Sequence, residues 1–371
     1  MSLRIPRIIE ETIELNRFPP ELNRALEDLR IEILSGAIRG LREEAPDTPF
    51  WDQAAAPWIG RNWMDVPWYW AEAFFYRRLL EATCYFQPGQ WYSYDPFRAK
   101  KLEDVSSPAA PRVVDDILNA LSSDLTEACR ALLYASLWGN RMDLSYAAAA
   151  ELARGRRLHD EGANLLSDAS ARICAFLSAR PAARVAILAD NAGSEFLADL
   201  VLADFLLSAR LAGDVAVYVK PQPFFVSDAT PEDLDPALQV LRRAGVPAQA
   251  VGERIRGSLA HGRLAIRTHW HLASSLFFFQ LPADLRADLE AMTLVIVKGD
   301  ASYRRLLGDA HWPPTTPFEQ ATAYFPAPLA ALRTMKAELV VGLPPGEAER
   351  LTREDPHWLV NARRGLLQAK L

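Results

Sequence analysis

The apolar positions of this chain change their period near residue 180. Upstream, ELNRALEDLRIEILSGAIRGL, WAEAFFYRRLLEATCYF, DLTEACRALLYASLWGN and GANLLSDASARICAFLSAR repeat apolar residues three and four apart, which predicts helices. Between Trp51 and Trp91 the chain is rich in tryptophan, and Pro57, Pro67 and Pro88 mark helix stops there. That aromatic density predicts core packing, with a stacking surface as the alternative. From Arg184 onward short β-branched runs take over. VAILAD, DVAVYVK, RLAIRTHW, LVIVKGD and ELVVGL predict strands; EFLADLVLADFLLSARL, PEDLDPALQVLRRAG and PADLRADLEAM predict the helices between them. Strand and helix in alternation specify an α/β fold with a three-layer, doubly wound, mainly parallel sheet, here preceded by an all-helical domain. The expected boundaries are 1–178 for the helical domain and 179–371 for the α/β domain. PPTTPFEQATAYFPAPLAAL is proline-rich but aromatic and reads as an ordered loop.

Polar residues gather where the predicted strands end, which is where open α/β sheets bind ligands. After VAILA come Asp190, Asn191 and Glu195. After VAVYVK the segment PQPFFVSDATPEDL carries Asp228, and VIVKGDASYRRLLGD brings Lys298, Asp300, Tyr303 and Arg304. LRTMKAELVVGL adds Arg333, Thr334 and Lys336 leading into a last strand. Three of the four clusters have an ordinary reading. Asp228 fits a helix N-cap with Pro231 near the first helical position. Glu195 fits a first-turn acid, and Arg304 fits a surface pair with Asp300 or Asp309. Parallel strands, however, place all four clusters on one edge, a convergence that capping alone does not require.

Asp190, Asn191 and Asp228 offer two carboxylates and a carbonyl oxygen. With water completing an octahedron, that set suits Mg²⁺, Mn²⁺ or a similar hard ion. Lys336, Arg304 and Lys298 supply positive charge for an anion such as phosphate, with Glu195 and Arg333 as further substrate contacts. Asp300 or Glu195 would orient a water or take its proton. A metal beside cations is what phosphoryl transfer to water requires.

Composition narrows the rest. Of 371 residues half are hydrophobic and 24 % charged, so disorder is not expected. A net charge of −6 and a pI near 5.7 argue against nucleic acid as partner. No apolar run approaches the ~18 residues of a membrane helix, and MSLRIPRIIEET lacks a signal-peptide core. Cys84, Cys129 and Cys174 lack CxxC spacing and are expected to be free thiols in a reducing compartment. The expectation is a cytoplasmic protein away from membranes. Six lysines stand among 41 cationic residues, so Lys220, Lys298 and Lys336 at element ends suit point-charge contacts to phosphate. His269 and His271 form HxH without a third soft ligand for zinc, and AGSEF lacks the GxSxG nucleophile elbow.

DNAGSE, the SDAT aspartate, VKGDASYRRLLGD and LRTMKAELVVGL together resemble the damage-control phosphatase family, formerly a domain of unknown function. The RTMK segment is similar to the signature of its acidic-residue methyltransferase-like subgroup. AEAFFYRR with Glu72 and Tyr76, and WGNRMDLS with Asn140 and Asp143, also match. The resemblance implies a phosphatase dependent on Mn²⁺, Co²⁺, Ni²⁺ or Mg²⁺. Its expected substrates are small phosphorylated metabolites, sugar phosphates such as fructose 1-phosphate or fructose 6-phosphate. By position Asp190, Asn191 and Asp228 match the metal ligands, and Asp300 to Arg304 with Lys336 match substrate contacts. The helical domain would cover the rim of the active site, and the α/β domain would bind metal and substrate. Ser302 departs from the family's KGDxNYR pattern, which has asparagine there. Two other activities stay open. An S-adenosylmethionine-dependent protein-glutamate methyltransferase would want a glycine-rich turn where LADNAGSE has only Gly193. A non-catalytic sugar-phosphate sensor would not need every ligand kept. Oligomeric state is not encoded in any of these motifs.

Overall fold

A computed structural model describes residues 4–108, 110–119, 121–139 and 164–371. The chain forms two compact units, each discontinuous in sequence. One comprises Met1–Glu103, Lys220–Thr230 and His269–Leu276; the other comprises Asp104–Val219, Pro231–Thr268 and Phe277–Leu371. The sequence suggests a single boundary after residue 178, whereas the two insertions of the first unit leave the α/β part directly after strands.

The first unit is helical, with Arg4–Leu15, Pro20–Ser35, Thr48–Ala55 and Trp68–Ala82 as its main helices. In the last of these every residue from Tyr69 to Leu80 is buried, so this helix is the centre of the unit. Trp63 and Trp70 stack on Phe74 at 5.8 and 5.0 Å between ring centroids, and Trp51 lies 5.3 Å from it. Most of the tryptophan-rich stretch is therefore core, and stacked aromatic pairs add to the stabilisation their buried area provides. Phe224 and Ala273, from the two inserted segments, complete the same core. Phe225 and Val226 adopt left-handed backbone (φ 46° and 66°), unusual for such side chains. Packing of Tyr76 against Phe224 and Phe225, at 5.9 and 5.1 Å, holds that turn.

Among its described residues the second unit has seven strands: β1 (Leu165–Asp168), β2 (Arg184–Leu188), β3 (Asp214–Val219), β4 (Leu264–Thr268), β5 (Leu294–Lys298), β6 (Leu329–Thr334) and β7 (Gly365–Lys370). Their order is β1-β7-β6-β5-β2-β3-β4. All pairings are parallel except β6 with β7. The α/β, mostly parallel sheet is the one expected. Strands β2, β3 and β5 are buried almost throughout, as continuous apolar runs inside such a sheet must be. From β2 the chain winds outward through β3 and β4, then returns to the other side of β2 and continues through β5 to β6. The topological switch thus lies between β2 and β5, the place where sheets of this kind bind ligands beyond the carboxyl ends of their strands.

Three local expectations are corrected. ELVVGL is not a strand: Leu339 to Val341 and Leu343 are buried in irregular backbone, and the sheet instead uses LAALRT before it and GLLQAK after it. A short apolar run does not distinguish a strand from a buried loop. LLSD, read within a helical pattern, is β1. Cys129 and Cys174 form a disulfide, because the helices Leu125–Leu137 and Ser170–Ser178 bring their Cα atoms to 6.2 Å; Cys84 is the free thiol. Among the described residues no helix is long and apolar enough to cross a membrane.

Candidate active site

At the end of β2 the chain turns through Asp190, Asn191 and Gly193 into the helix Ser194–Ser208. Gly193, in a positive-φ conformation, makes that turn, and the Ser194 N–H donates to Asp104 Oδ2 at 2.8 Å. The Asn191 amide nitrogen donates to Asp190 Oδ2 at 2.9 Å and to Glu195 Oε2 at 2.8 Å. Both carboxylates thus hold the amino end of the amide, which turns its carbonyl oxygen the other way. Asp190 rests on Gly299 at the end of β5; a Cβ on Gly299 would collide with the Asp190 carboxylate. Gly299 also has φ +86°, so both space and backbone call for glycine here.

Lys298, the last residue of β5, is fully buried. Its ammonium donates to Glu195 Oε1 at 3.1 Å and Asp199 Oδ1 at 2.8 Å. Ser136 Oγ donates to the same Asp199 oxygen at 2.6 Å. Gly139 makes that approach possible, since a Cβ there would strike the Glu195 backbone. Burial pushes the Asp199 carboxyl up to about 6, against the opposing pull of Lys298, while the Glu195 charge adds to the rise. For Lys298 burial opposes the ammonium, but Asp199 and Glu195 outweigh it and raise its pKa. One hydrogen-bonded line therefore runs Asp190, Asn191, Glu195, Lys298, Asp199, Ser136. Sequence reasoning named the first four and missed Asp199, Ser136 and Asp104. A signal for Asp199 was present: an acid one turn after Glu195 inside the otherwise apolar EFLADLVLADFLL.

At the ends of β5 and β6, Asp300 opens the helix Asp300–Leu307, and its Oδ1 accepts from Arg333 Nε at 2.7 Å and from the Lys336 N–H at 3.0 Å. Arg333 is fully buried; it also donates to the carbonyls of Leu339 and Ala337 and lies over the Tyr303 ring. The Lys336 side chain is exposed, with no ion pair to any described residue. Two other expected substrate contacts have partners inside the protein. Tyr303 donates its hydroxyl to Gln368 Oε1 at 2.8 Å, and burial pushes its pKa up to about 12. Arg304 forms a two-pronged pair with Asp309 at 2.7 and 2.9 Å, one of the ordinary partners open to it from the sequence. Ser302 is buried in the same helix.

In the first unit, Asp228 and Lys220 form a buried ion pair at 3.1 Å. Glu72 accepts from Arg4 at 2.7 Å, and the buried Tyr76 hydroxyl has its pKa raised by burial and by the Glu72 charge. His269 Nδ1 accepts from the His271 N–H at 3.0 Å, a local turn contact. Among the described residues no three His, Cys, Asp or Glu side chains gather in a ready-made metal cage. Asn140 and Asp143 lie outside the described residues. The donor set at the end of β2 nevertheless suits a hard divalent ion, with a carboxylate and an oriented amide carbonyl beside a glycine that makes room for them.

The model of the damage-control phosphatase ARMT1-like domain matches residues 1–351. The chain belongs to this family. It is 32 % identical over 378 residues to damage-control phosphatase ARMT1 of Mus musculus, covering 91 % of this chain and 86 % of the relative. The Homo sapiens protein of that name is 31 % identical over 332 residues, covering 83 % and 75 %. A crystal structure of a DUF89 family protein from Pyrococcus horikoshii aligns with a TM-score of 0.52 at 14 % identity, over 99 % of this chain and 96 % of that one, which supports the fold alone. As a damage-control phosphatase family member the chain is placed among phosphoric ester hydrolases, the class its ordered motifs anticipate. Within that family frame, Asp190, Asn191 and Glu195 occupy the switch point of the sheet.

Proposed function

We propose that this protein is a metal-dependent phosphatase that hydrolyses small phosphorylated metabolites, with sugar phosphates such as fructose 1-phosphate or fructose 6-phosphate as its substrates. The observation that carries the reading is the Asp190–Asn191–Glu195–Lys298 line at the switch point. Lys298 holds Glu195, Glu195 holds the Asn191 amide, and Asn191 holds Asp190, so two oxygen donors are oriented before any ligand arrives. Asp190 and Asn191 are the proposed metal ligands in this unit. Asp228 is proposed as the third from its place in the sequence. A bound Mn²⁺, Co²⁺, Ni²⁺ or Mg²⁺ would polarise the phosphoryl oxygen and acidify water.

The chain's own groups supply the rest. Lys336, exposed beyond β6, is the proposed contact to the phosphate dianion. Arg333 and the Lys336 N–H fix Asp300 through Oδ1, and its other oxygen, Oδ2, is the proposed acceptor of the water proton. Water oxygen bonds to phosphorus as the ester oxygen departs, and the released sugar hydroxyl takes its proton from solvent. The test measures phosphate release from sugar phosphates by chelated protein with and without added Mn²⁺ or Co²⁺, beside methyl transfer from labelled S-adenosylmethionine. Metal-restored phosphate release is expected. Methyl transfer without phosphate release would overturn the reading.

A further inference from the structure

We propose that Asp199 is a positioning residue for the metal ligands, acting through Lys298 and Glu195 on the direction of the Asn191 carbonyl. The inference rests on the metal-dependent reading above and goes beyond it, because Asp199 itself lies behind the donor set. Asp199 is fully buried in an apolar helix, and a buried ion cluster such as Asp199, Lys298 and Glu195 adds little stability over a well-packed apolar set in its place. Its presence therefore points to a geometric role. A lysine ammonium on four flexible carbons has no fixed position of its own. Asp199 Oδ1, itself held by Ser136, pins Nζ at 2.8 Å, at a point from which it reaches only one Glu195 oxygen, Oε1. Glu195 Oε2 is thereby left for the Asn191 amide. The second Asp199 oxygen has no hydrogen-bond partner among the described residues, so Oδ1 carries the whole arrangement. Without that charge Lys298 would settle on Glu195 alone, draw its carboxylate away and release the amide that aims the carbonyl.

The experiment titrates Mn²⁺ into metal-free full-length protein by calorimetry. Asp199→Asn keeps the shape and removes the charge, and its Mn²⁺ affinity is expected to fall about 10- to 100-fold, as for other residues that support metal ligands indirectly. Asp204→Asn serves as the structural control: it lies on the same helix, buried and paired with Arg254 at 2.6 Å, and is expected to lower the melting temperature while leaving Mn²⁺ affinity within twofold. Affinity of Asp199→Asn within twofold of wild type overturns the proposal. Should that variant fail to fold, Ser136→Ala removes only the hydroxyl on Oδ1. A threefold or larger loss of affinity there supports the proposal, and an unchanged affinity overturns it. Wild-type protein that binds neither Mn²⁺ nor Co²⁺ overturns the metal reading itself, a failure visible before any variant is compared.

Discussion

Arg77 in the first unit and Lys298 in the second are both fully buried cations, each held between two carboxylates. Around Arg77, Nε meets Asp47 at 2.8 Å and Nη1 meets Glu43 at 2.7 Å. Those acids then end on neutral donors: Trp51 and Gln222 on Asp47, Gln87 on Glu43. Around Lys298 the line does not end this way. It passes through Glu195 and Asn191 to a third carboxylate, Asp190, at the carboxyl end of a parallel strand. A buried ion pair is thus no sign of a site in itself. What separates the two is whether the polar line terminates in the core or continues to the sheet edge where ligands bind.

Crossed substitutions give the largest contrast. Asp190→Ala is expected to reduce kcat/KM for sugar phosphate by on the order of 10³-fold, the value of losing a metal ligand's several kcal/mol, with little change in urea unfolding. Arg77→Met is expected to do the reverse, costing about 3–5 kcal/mol of stability by leaving Asp47 and Glu43 buried without their cation. Equal effects of both on unfolding would erase the distinction.

A second expectation follows from the raised Asp199 carboxyl. Its folded pKa of about 6 exceeds the usual 3.8, so between those values the native state binds more proton than the unfolded chain. Stability therefore falls as pH rises through that window, by on the order of 3 kcal/mol for this group. Metal-free wild type should lose stability relative to Asp199→Asn between pH 4 and 6; parallel curves would refute the buried charge. The smallest effect tests Tyr303. With its hydroxyl on Gln368, Tyr303→Phe should lower stability by about 1 kcal/mol and leave KM unchanged. A raised KM would instead return Tyr303 to the substrate.

The central strands were legible because burial on both faces writes β2, β3 and β5 as unbroken apolar runs. Asp190 and Asn191 were legible because such a run stops at them. Less visible were residues whose meaning depends on distant partners. Gln368 is 65 residues from Tyr303, and Cys174 is 45 from Cys129. Asp199 was hidden by its own helix, whose apolar texture masked one acid among many leucines. ELVVGL misled because burial, not pairing, selects its side chains, while β1, at four residues, is too short to show a period.

The sheet order also bears on synthesis. Among the described residues β1 pairs only with β7, Leu165 lying beside Gly365, and β6 has β7 as its outer neighbour. At typical elongation rates the 200 residues between them take roughly 10–40 s to emerge from the ribosome. For that interval β1 has no sheet to join, and β6, once made, waits with an open hydrogen-bonding edge. This is the period when the nascent chain most needs shielding from other strands, and the last strand ends it by filling both vacancies at once.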